Sequence, residues 1–266
     1  LYLRICFSGV LGLMIYNMGS GILLAVGDSN RPFLLLVACA LVGFVNGFFM
    51  AKFKLHPFIV TLSTQLIVYG LVLLFMQLGT NGGQTLSGMS EGYRNFIIKP
   101  LFTLKTSSGP VTVPRYVLYS AIITALVWVI WNKTAFGKNM YAVGSNEEAA
   151  NVSGVNVSKT IILVFVMAGM LYGITGFMDA ARIASVNATT GLNYEADAIA
   201  ACVIGGISFV GGIGKVSGAI IGVLLLQIIF AGLNFLSVDA NYLYIVKGLI
   251  ILIACSIDMR KYLVRK

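Results

Sequence analysis

Long apolar runs separated by short polar segments extend along the whole chain. A helix needs about 20 mainly apolar residues to cross a bilayer, and uninterrupted runs are the main sequence signal for such helices. Eight segments meet or approach that length: 5–27, 33–51, 58–78, 115–131, 160–178, 195–212, 217–236 and 242–258. The pattern therefore predicts an all-α, polytopic helical membrane protein with about eight spans, and we treat 1–266 as a single transmembrane domain.

The segment 195–212 differs from the other runs because it is short and rich in glycine, with Gly205-Gly206 and Gly211-Gly212 close together. Non-helical backbone is tolerated at membrane depth only where protein or a water-filled path covers it. We therefore expect some spans, and this one above all, to be broken or re-entrant helices.

Basic residues predict which ends of the spans face the cytoplasm. Alternating the spans from a cytoplasmic Arg4 places only Arg31 and Arg182 in the short outer loops. The inner side then receives Arg4, Lys52, Lys54, Lys133, Lys138, Lys159, Lys215, Arg260, Lys261, Arg265 and Lys266. Because cytoplasmic loops carry the excess of Lys and Arg, we expect a cytoplasmic C-terminus, an outer loop at 79–114 and a cytoplasmic loop at 132–159.

Composition excludes an ordinary water-soluble domain and a disordered chain. Hydrophobic residues make up 58% of the 266 residues and charged residues 10%, against roughly 45–50% and about 25% in soluble domains. The formal net charge is +9, but the basic residues lie at the ends of apolar runs. That distribution indicates topology and contact with anionic membrane lipid rather than nucleic-acid binding.

Motifs for catalysis and metal binding are not evident. The four cysteines are isolated in apolar runs and there is one histidine, His56, so we expect no metal site. Gly214-Lys215 is followed by Val216 rather than Ser or Thr, which does not fit a phosphate-binding loop. We expect no catalytic residue. An intramembrane protease using His56 is a weaker alternative, since His56 fits a loop residue before a helix started by Pro57.

The two longest loops contain short predicted helices. In 79–114, residues Glu91 to Phe102 could form an interfacial helix. In 132–159, Ser145 or Asn146 can cap a helix whose first turn holds Glu147 and Glu148, where the helix dipole favours acids. Ala149 and Ala150 continue that helix and Gly154 can end it. Such a helix suits docking into a groove on a partner; the alternative is a surface helix without one.

Polar residues gather in the outer stretch before the glycine-rich segment: Asp179, Arg182, Asn187, Asn193, Glu195 and Asp197. Acids, amides and an arginine can hydrogen-bond hydroxyl groups, so we interpret this stretch as an outer vestibule of a translocation path. The alternative is a solvated loop with a few capping residues. Lys247, inside the last span, either extends to the outer interface or pairs with Glu195 or Asp197.

Glycines at a spacing of four residues predict close helix packing. Gly214, Gly218 and Gly222 would share one helix face, as would Gly43 with Gly47 and Gly169 with Gly173. The alternative is that glycine is simply common in membrane helices.

Three separated segments resemble one family. They are residues 131–157, which include Gly137-Lys-Asn-Met-Tyr-Ala-Val-Gly-Ser-Asn-Glu-Glu148, then Tyr194–Gly206 with Gly211-Gly-Ile-Gly214, and Tyr244-Ile-Val-Lys-Gly248. They are similar to the permeases of ABC-type monosaccharide importers of the ribose, arabinose, xylose and galactose type, and most similar to the galactose/methyl-galactoside branch. The resemblance runs from about residue 41 to the C-terminus.

The resemblance implies a permease subunit in the bacterial inner membrane that moves a monosaccharide inward. It implies a second permease copy, a dimer of ATP-binding subunits that receives the helix around Asn146–Gly154, and a periplasmic or lipid-anchored sugar-binding protein outside. ATP and magnesium would be held by the ATPase, and no cofactor by this chain. Family members carry spans upstream, so we expect residues to be missing before Leu1. Ribose or a nucleoside is the alternative solute, and an ion-coupled carrier the alternative class.

Overall fold

The computed structural model describes residues 31–78, 86–87, 89–106, 109–187, 189–208 and 211–263. The predicted span 5–27, with Arg4 and Cys6, lies outside these residues. The described chain forms, in order, α1 (Arg31–Phe53), α2 (Pro57–Leu78), β1 (Leu86–Ser87), α3 (Glu91–Ile98), β2 (Pro100–Thr106), β3 (Gly109–Pro114), α4 (Arg115–Lys133), α5 (Ala135–Ser145), α6 (Glu147–Val152), α7 (Val157–Ile183), β4 (Ser185–Val186), α8 (Tyr194–Ile204), α9 (Val216–Phe235) and α10 (Ala240–Leu263).

Six of these helices coincide with predicted spans to within a few residues: α1, α2, α4, α7, α9 and α10. The first five are long and apolar enough to cross a membrane. In α10 the apolar part is shorter, Asn241–Ile253. The predicted polytopic helical architecture is therefore confirmed, and the side chains that point outwards from the bundle are largely apolar, as a lipid-facing surface requires.

The predicted broken span is a half-helix followed by a loop. The helix α8 ends at Ile204, and at about 1.5 Å per residue its 11 residues reach roughly 16 Å, about half of a bilayer core. Gly206 has a φ of +77°, and the Ile207 amide donates to the Cys202 carbonyl at 3.0 Å. The described residues 205–208 and 211–215 are non-helical, and α9 begins at Val216.

The connecting segments separate into two groups, one at each end of the bundle. At one end, β1 pairs with β4 and the Tyr119 hydroxyl donates to the Phe96 carbonyl. At the other end, residues 54–57 line one cavity together with residues 147, 148, 151 and 154–158, and Tyr141 contacts Gly214. The described connections therefore alternate between the two ends. We name these ends after the roles that the sequence predicts for them, the outer end and the coupling end.

The outer segment differs from its prediction. The helix expected over Glu91 to Phe102 stops at Ile98, because Pro100 disfavours helical backbone at Lys99, where φ is −49° and ψ is 136°. Leu101 and Phe102 instead lie in β2, which pairs antiparallel with β3 as a hairpin. The small strands at this end were not predicted.

The long helices α1 and α7 pack against each other through glycine. A Cβ on Gly43 would lie 2.2 Å from the Phe165 carbonyl oxygen, and a Cβ on Gly169 would lie 2.3 Å from that of Cys39. A Cβ on Gly47 would lie 2.8 Å from the Ile162 Cα. The predicted close approach is confirmed at these three glycines, since no larger residue leaves room for the two backbones.

The half-helix α8 packs on α9 through a second glycine contact. Gly218 lies against the Gly205 carbonyl, and Gly222 against that of Ala201. Gly214 does not share this face, because Lys215 is extended, with φ −131° and ψ 142°, and the helix begins only at Val216. Gly214 instead lies in the loop, where a Cβ would contact the Ile207 side chain at 3.1 Å.

Candidate translocation path and coupling surface

The helix α6 is a short, exposed element at the coupling end. The Asn146 side chain accepts a hydrogen bond from the Ala149 amide at 3.0 Å, so Asn146 rather than Ser145 is the N-cap of α6. Glu147 and Glu148 occupy its first turn and are exposed, while Ala150 is buried. Gly154 follows with a φ of +83°. The arrangement presents two acids and fixes the helix to the bundle through one small side chain.

A cavity of about 750 Å³ opens beside α6. Its walls come from the α1–α2 connection and from the segment leading into α7, and they include Lys54, His56, Glu147, Glu148, Asn151 and Asn156. Pro57 begins α2 directly after His56, as predicted. The cavity is polar and carries both signs of charge, which suits a protein segment with mixed polarity.

The helix α5 connects α6 to the loop that follows α8. The Tyr141 hydroxyl donates to the Gly214 carbonyl at 2.7 Å, and Gly212 lies directly against Ser145. Burial raises the pKa of Tyr141 above its ordinary value near 10. An ordinary tyrosine is already protonated at neutral pH, so the hydroxyl is a donor to this carbonyl with or without that increase.

A charged pair joins α8 to α10. The Lys247 ammonium lies 2.7 Å and 2.9 Å from the two carboxylate oxygens of Asp197. The Phe230 ring centroid lies 4.9 Å from the ammonium and that of Tyr244 5.7 Å, so two rings add cation–π contacts. Of the two alternatives open for Lys247, the structure shows pairing, and the partner is Asp197.

Glu195 lies in the first turn of α8, two residues before Asp197. Its side chain is half-buried, and Oε2 is buried without a hydrogen-bond partner among the described residues. A buried carboxylate oxygen without a donor is costly. Glu195 is therefore the acid in this region with unused capacity to accept a hydrogen bond, and a hydroxyl group could supply the donor.

Asp179 and Arg182 form a second pair at the outer end. The Arg182 guanidinium lies 2.9 Å from Asp179, and the Tyr194 hydroxyl donates to the other oxygen of Asp179 at 3.2 Å. This group therefore connects the end of α7 to the start of α8. Arg182 is 54% exposed while Asp179 is 11% exposed, so the cation of this pair is solvated and its carboxylate is largely buried.

The two predicted asparagines have local contacts. The Asn187 side-chain oxygen accepts from the Thr189 amide and from the hydroxyls of Thr189 and Thr190, which organises the turn before α8. Asn193 adopts left-handed backbone with a φ of +69° and makes no side-chain cap. These local contacts are those of a loop. The predicted place of Asn187 and Asn193 in a vestibule of the path stays a prediction.

Several residues with specific contacts had no individual prediction. Asn46, fully buried in α1, accepts a hydrogen bond from the Thr64 hydroxyl of α2 at 2.6 Å. Tyr141, Tyr194, Phe230 and Tyr244 also make the contacts described above. The lone amide in an apolar run was a usable signal for Asn46, because polar groups inside spans seek partners on neighbouring helices. The tyrosine contacts depend on loop geometry and had no such signal.

Among the described residues, no group of three or more His, Cys, Asp or Glu side chains is placed to hold a metal ion. What the described chain does combine is a bundle of apolar spans, a half-helix carrying a charged pair, and a small exposed helix at the opposite end. This combination defines a multi-pass membrane transport protein.

Comparison with known proteins identifies the family. The profile described as "Branched-chain amino acid transport system / permease component" matches residues 5–255. The chain belongs to this permease family, and it is therefore a transporter subunit rather than an enzyme. It is a multi-pass protein of the bacterial inner membrane.

Several similar curated proteins are sugar permeases. The galactose/methyl galactoside import permease of Haemophilus influenzae is 42% identical over 244 residues, covering 91% of this chain and 70% of that protein. The permease of the same description from Treponema pallidum is 47% identical over 229 residues, but this covers only 42% of its length. The ribose import permease of Bacillus subtilis is 37% identical over 222 residues, covering 81% of this chain and 63% of that protein. No solved structure matches the chain.

Proposed function

We propose that the chain is the membrane permease of a binding-protein-dependent ABC importer that moves a monosaccharide inward, with galactose or a methyl galactoside as the favoured substrate. The observation that carries the proposal is the 42% identity to a galactose/methyl galactoside import permease over 91% of the chain. The ribose permeases, at 36–37% identity, support the same class of function and make ribose the alternative sugar.

In this proposal two copies of the chain enclose the path. A dimer of ATP-binding subunits binds the coupling end and holds the ATP and magnesium, and this chain binds neither. The exposure of Glu147 and Glu148 and the cavity beside α6 support docking at this end. Val152, which is 89% exposed, adds an apolar contact that a groove on the ATPase would bury.

The orientation follows from the same proposal. The coupling end and the C-terminus face the cytoplasm, and the segments 79–114 and 179–197 face a sugar-binding protein outside. The sugar passes Glu195 and the Asp197–Lys247 pair, where a free carboxylate oxygen supports hydroxyl recognition. ATP binding and hydrolysis bias a two-state equilibrium between outward and inward openings.

Uptake of labelled galactose tests the function directly. The chain is expressed with the ATPase and binding protein in cells that lack their own galactose permease. We expect uptake that vanadate blocks and an uncoupler leaves intact. Uptake that only the uncoupler abolishes would instead establish an ion-coupled carrier. Competition by unlabelled ribose or galactose then ranks the sugars, and stronger competition by ribose would reassign the substrate.

The coupling role of α6 has its own test. Glu148→Lys reverses a charge in the first turn of α6, so it opposes both the helix dipole and the docking surface. We expect uptake to fall about tenfold or more, equivalent to about 1.4 kcal/mol or more, with normal membrane insertion and continued ATP hydrolysis. Asp239→Lys is the matched control, since Asp239 is an exposed acid at the start of α10 and lies outside the coupling end and outside the segments 79–114 and 179–197. Wild-type uptake by the Glu148 variant would refute the coupling assignment.

A further inference from the structure

The junction between α5 and α6 contains no free linker. Asn146 is the one residue between them, and it ends one helix while capping the next. Its amide donates to the Ala142 carbonyl in α5 at 3.0 Å, and its side chain accepts from the Ala149 amide in α6 at 3.0 Å. A displacement of α6 therefore displaces the C-terminal end of α5 as well.

The other end of α5 is held against α4. Gly137 is pressed on the last turn of α4, since a Cβ there would lie 1.9 Å from the Trp131 carbonyl oxygen. The Gly137 amide also donates to the Thr134 hydroxyl at 3.2 Å. With its N-terminal end fixed in this way, α5 can pivot but cannot translate freely.

The C-terminal half of α5 contacts the loop 211–215 at two points. The Tyr141 hydroxyl donates to the Gly214 carbonyl at 2.7 Å. Gly212 lies so close to Ser145 that an added Cβ would be 2.4 Å from the Ser145 hydroxyl oxygen and 2.8 Å from its Cα. The Tyr141–Gly214 contact is a hydrogen bond, and the Ser145–Gly212 contact is close van der Waals packing.

The loop is in turn folded onto the end of α8. The Ser208 amide donates to the Ile213 carbonyl at 3.0 Å, and the Ile207 amide to the Cys202 carbonyl in α8 at 3.0 Å. Gly214 also lies against the Ile207 side chain. Described contacts therefore run without interruption from α6, through α5 and the loop, to the half-helix that carries Asp197.

We propose that α5 is a lever that transmits movement of the coupling helix α6 to the half-helix α8, and that Tyr141 and the Ser145–Gly212 contact are its positioning contacts. This inference rests on the proposed function and deepens it. Tyr141 touches neither the sugar nor ATP; it sets how much of a displacement of α6 reaches the translocation path.

The expected size of the effect follows from one hydrogen bond. A neutral protein hydrogen bond shifts an equilibrium by about two- to tenfold, provided that it persists in one state of the switch and breaks in the other. Tyr141→Phe should therefore lower the number of sugars moved per ATP hydrolysed by about two- to tenfold. The rate of ATP hydrolysis should change much less, because the ATPase still receives α6.

The first test measures sugar uptake and ATP hydrolysis together, in liposomes that hold the permease, the ATPase and the binding protein. Tyr119→Phe is the matched control, since Tyr119 also donates its hydroxyl to a backbone carbonyl, at the outer end. We expect a lowered ratio of sugar to ATP for Tyr141→Phe and a wild-type ratio for Tyr119→Phe. Equal ratios in the two variants would overturn the proposal.

The second test follows movement without transport. Amide hydrogen exchange of residues 201–208 is compared with and without ATP and vanadate. Gly212→Ala should push Ser145 away, and Gly206→Ala is its control, because Gly206 has a similar φ of +77° but open space where a Cβ would be. We expect the nucleotide-dependent change in wild type and Gly206→Ala, and at most about half of it in Gly212→Ala and Tyr141→Phe.

The two tests also separate this inference from the function on which it rests. An identical exchange change in all four proteins would overturn the lever. If the wild-type complex moved no sugar, the proposed substrate would be wrong, while the exchange comparison would still decide whether α5 connects α6 to α8.

Discussion

Replacing Lys247 by methionine should destabilise the bundle through Asp197. The ammonium lies within 2.9 Å of both oxygens of Asp197, and the two side chains are only 18% and 29% exposed. Removing one partner of a buried pair costs about 3–5 kcal/mol, because the other charge stays buried and unpaired. Partial exposure of both groups reduces this, so we expect a loss of about 2–3 kcal/mol in the free energy of unfolding.

A double-mutant cycle separates pairing from packing. Asp197→Asn should cost less than Lys247→Met, because a released lysine can extend to the interface while a short carboxylate cannot. The double variant should be more stable than the sum of the single losses predicts, with a coupling energy of about 1–3 kcal/mol. Unfolding by SDS in mixed micelles, followed by circular dichroism, gives the four free energies.

The matched control is the second charged pair at the outer end. Arg182 pairs with Asp179 at a similar distance, but Arg182 is 54% exposed while Asp179 is 11% exposed. Asp179 keeps the hydrogen bond from the Tyr194 hydroxyl when Arg182 is removed, and pairs with a solvated cation contribute roughly 0–1 kcal/mol. Arg182→Met should therefore cost less than about 1 kcal/mol. Three results would contradict a stabilising Lys247–Asp197 pair. They are wild-type stability of Lys247→Met, a cycle that is additive within about 0.5 kcal/mol, and a loss in Arg182→Met as large as that in Lys247→Met.

Two further substitutions test packing, and both use the same unfolding assay. Gly222→Ala should cost about 1–3 kcal/mol or more, since its Cβ would lie 1.9 Å from the Ala201 carbonyl oxygen. Gly232→Ala is the control on the same helix and should be neutral, because open space surrounds that position. Equal losses in the two variants would refute the close approach of α8 and α9. Tyr93→Phe should cost about 1–2 kcal/mol, because its buried hydroxyl donates to a carbonyl of α7. Tyr119→Phe, an exposed donor, should change stability by less than about 0.5 kcal/mol, and a Tyr93 variant as stable as wild type would contradict the assignment.

Features that depend on local sequence could be predicted. Apolar runs give the spans because water-free lipid requires about 20 such residues in a helix. The glycines at 205 and 206 predicted the break after α8, and the acids after Asn146 predicted the start of α6, since both effects act within one helical turn. These elements needed no knowledge of tertiary contacts.

Features that depend on contacts between distant segments could not be predicted. Lys247 and Asp197 are 50 residues apart, so the sequence left two acids and the interface as alternatives. Gly214 was placed on a helix face because its spacing fits one, but the extended backbone at Lys215 separates it from α9. The contact between Tyr141 and Gly214 exists only because the loop after α8 folds back onto α5, and no local pattern encodes that return.

The half-helix α8 explains why its two ends carry the specific contacts. Eleven residues form a marginal helix in isolation, and both helix ends have backbone groups that lipid cannot satisfy. At the outer end, Asp197 lies in the first turn and pairs with Lys247. At the coupling end, the amides of residues 205–207 return to carbonyls of α8. Each end is therefore held by a neighbouring element, α10 through the charged pair and α5 through the loop, so in the proposed lever a displacement of α5 moves α8 or breaks this support.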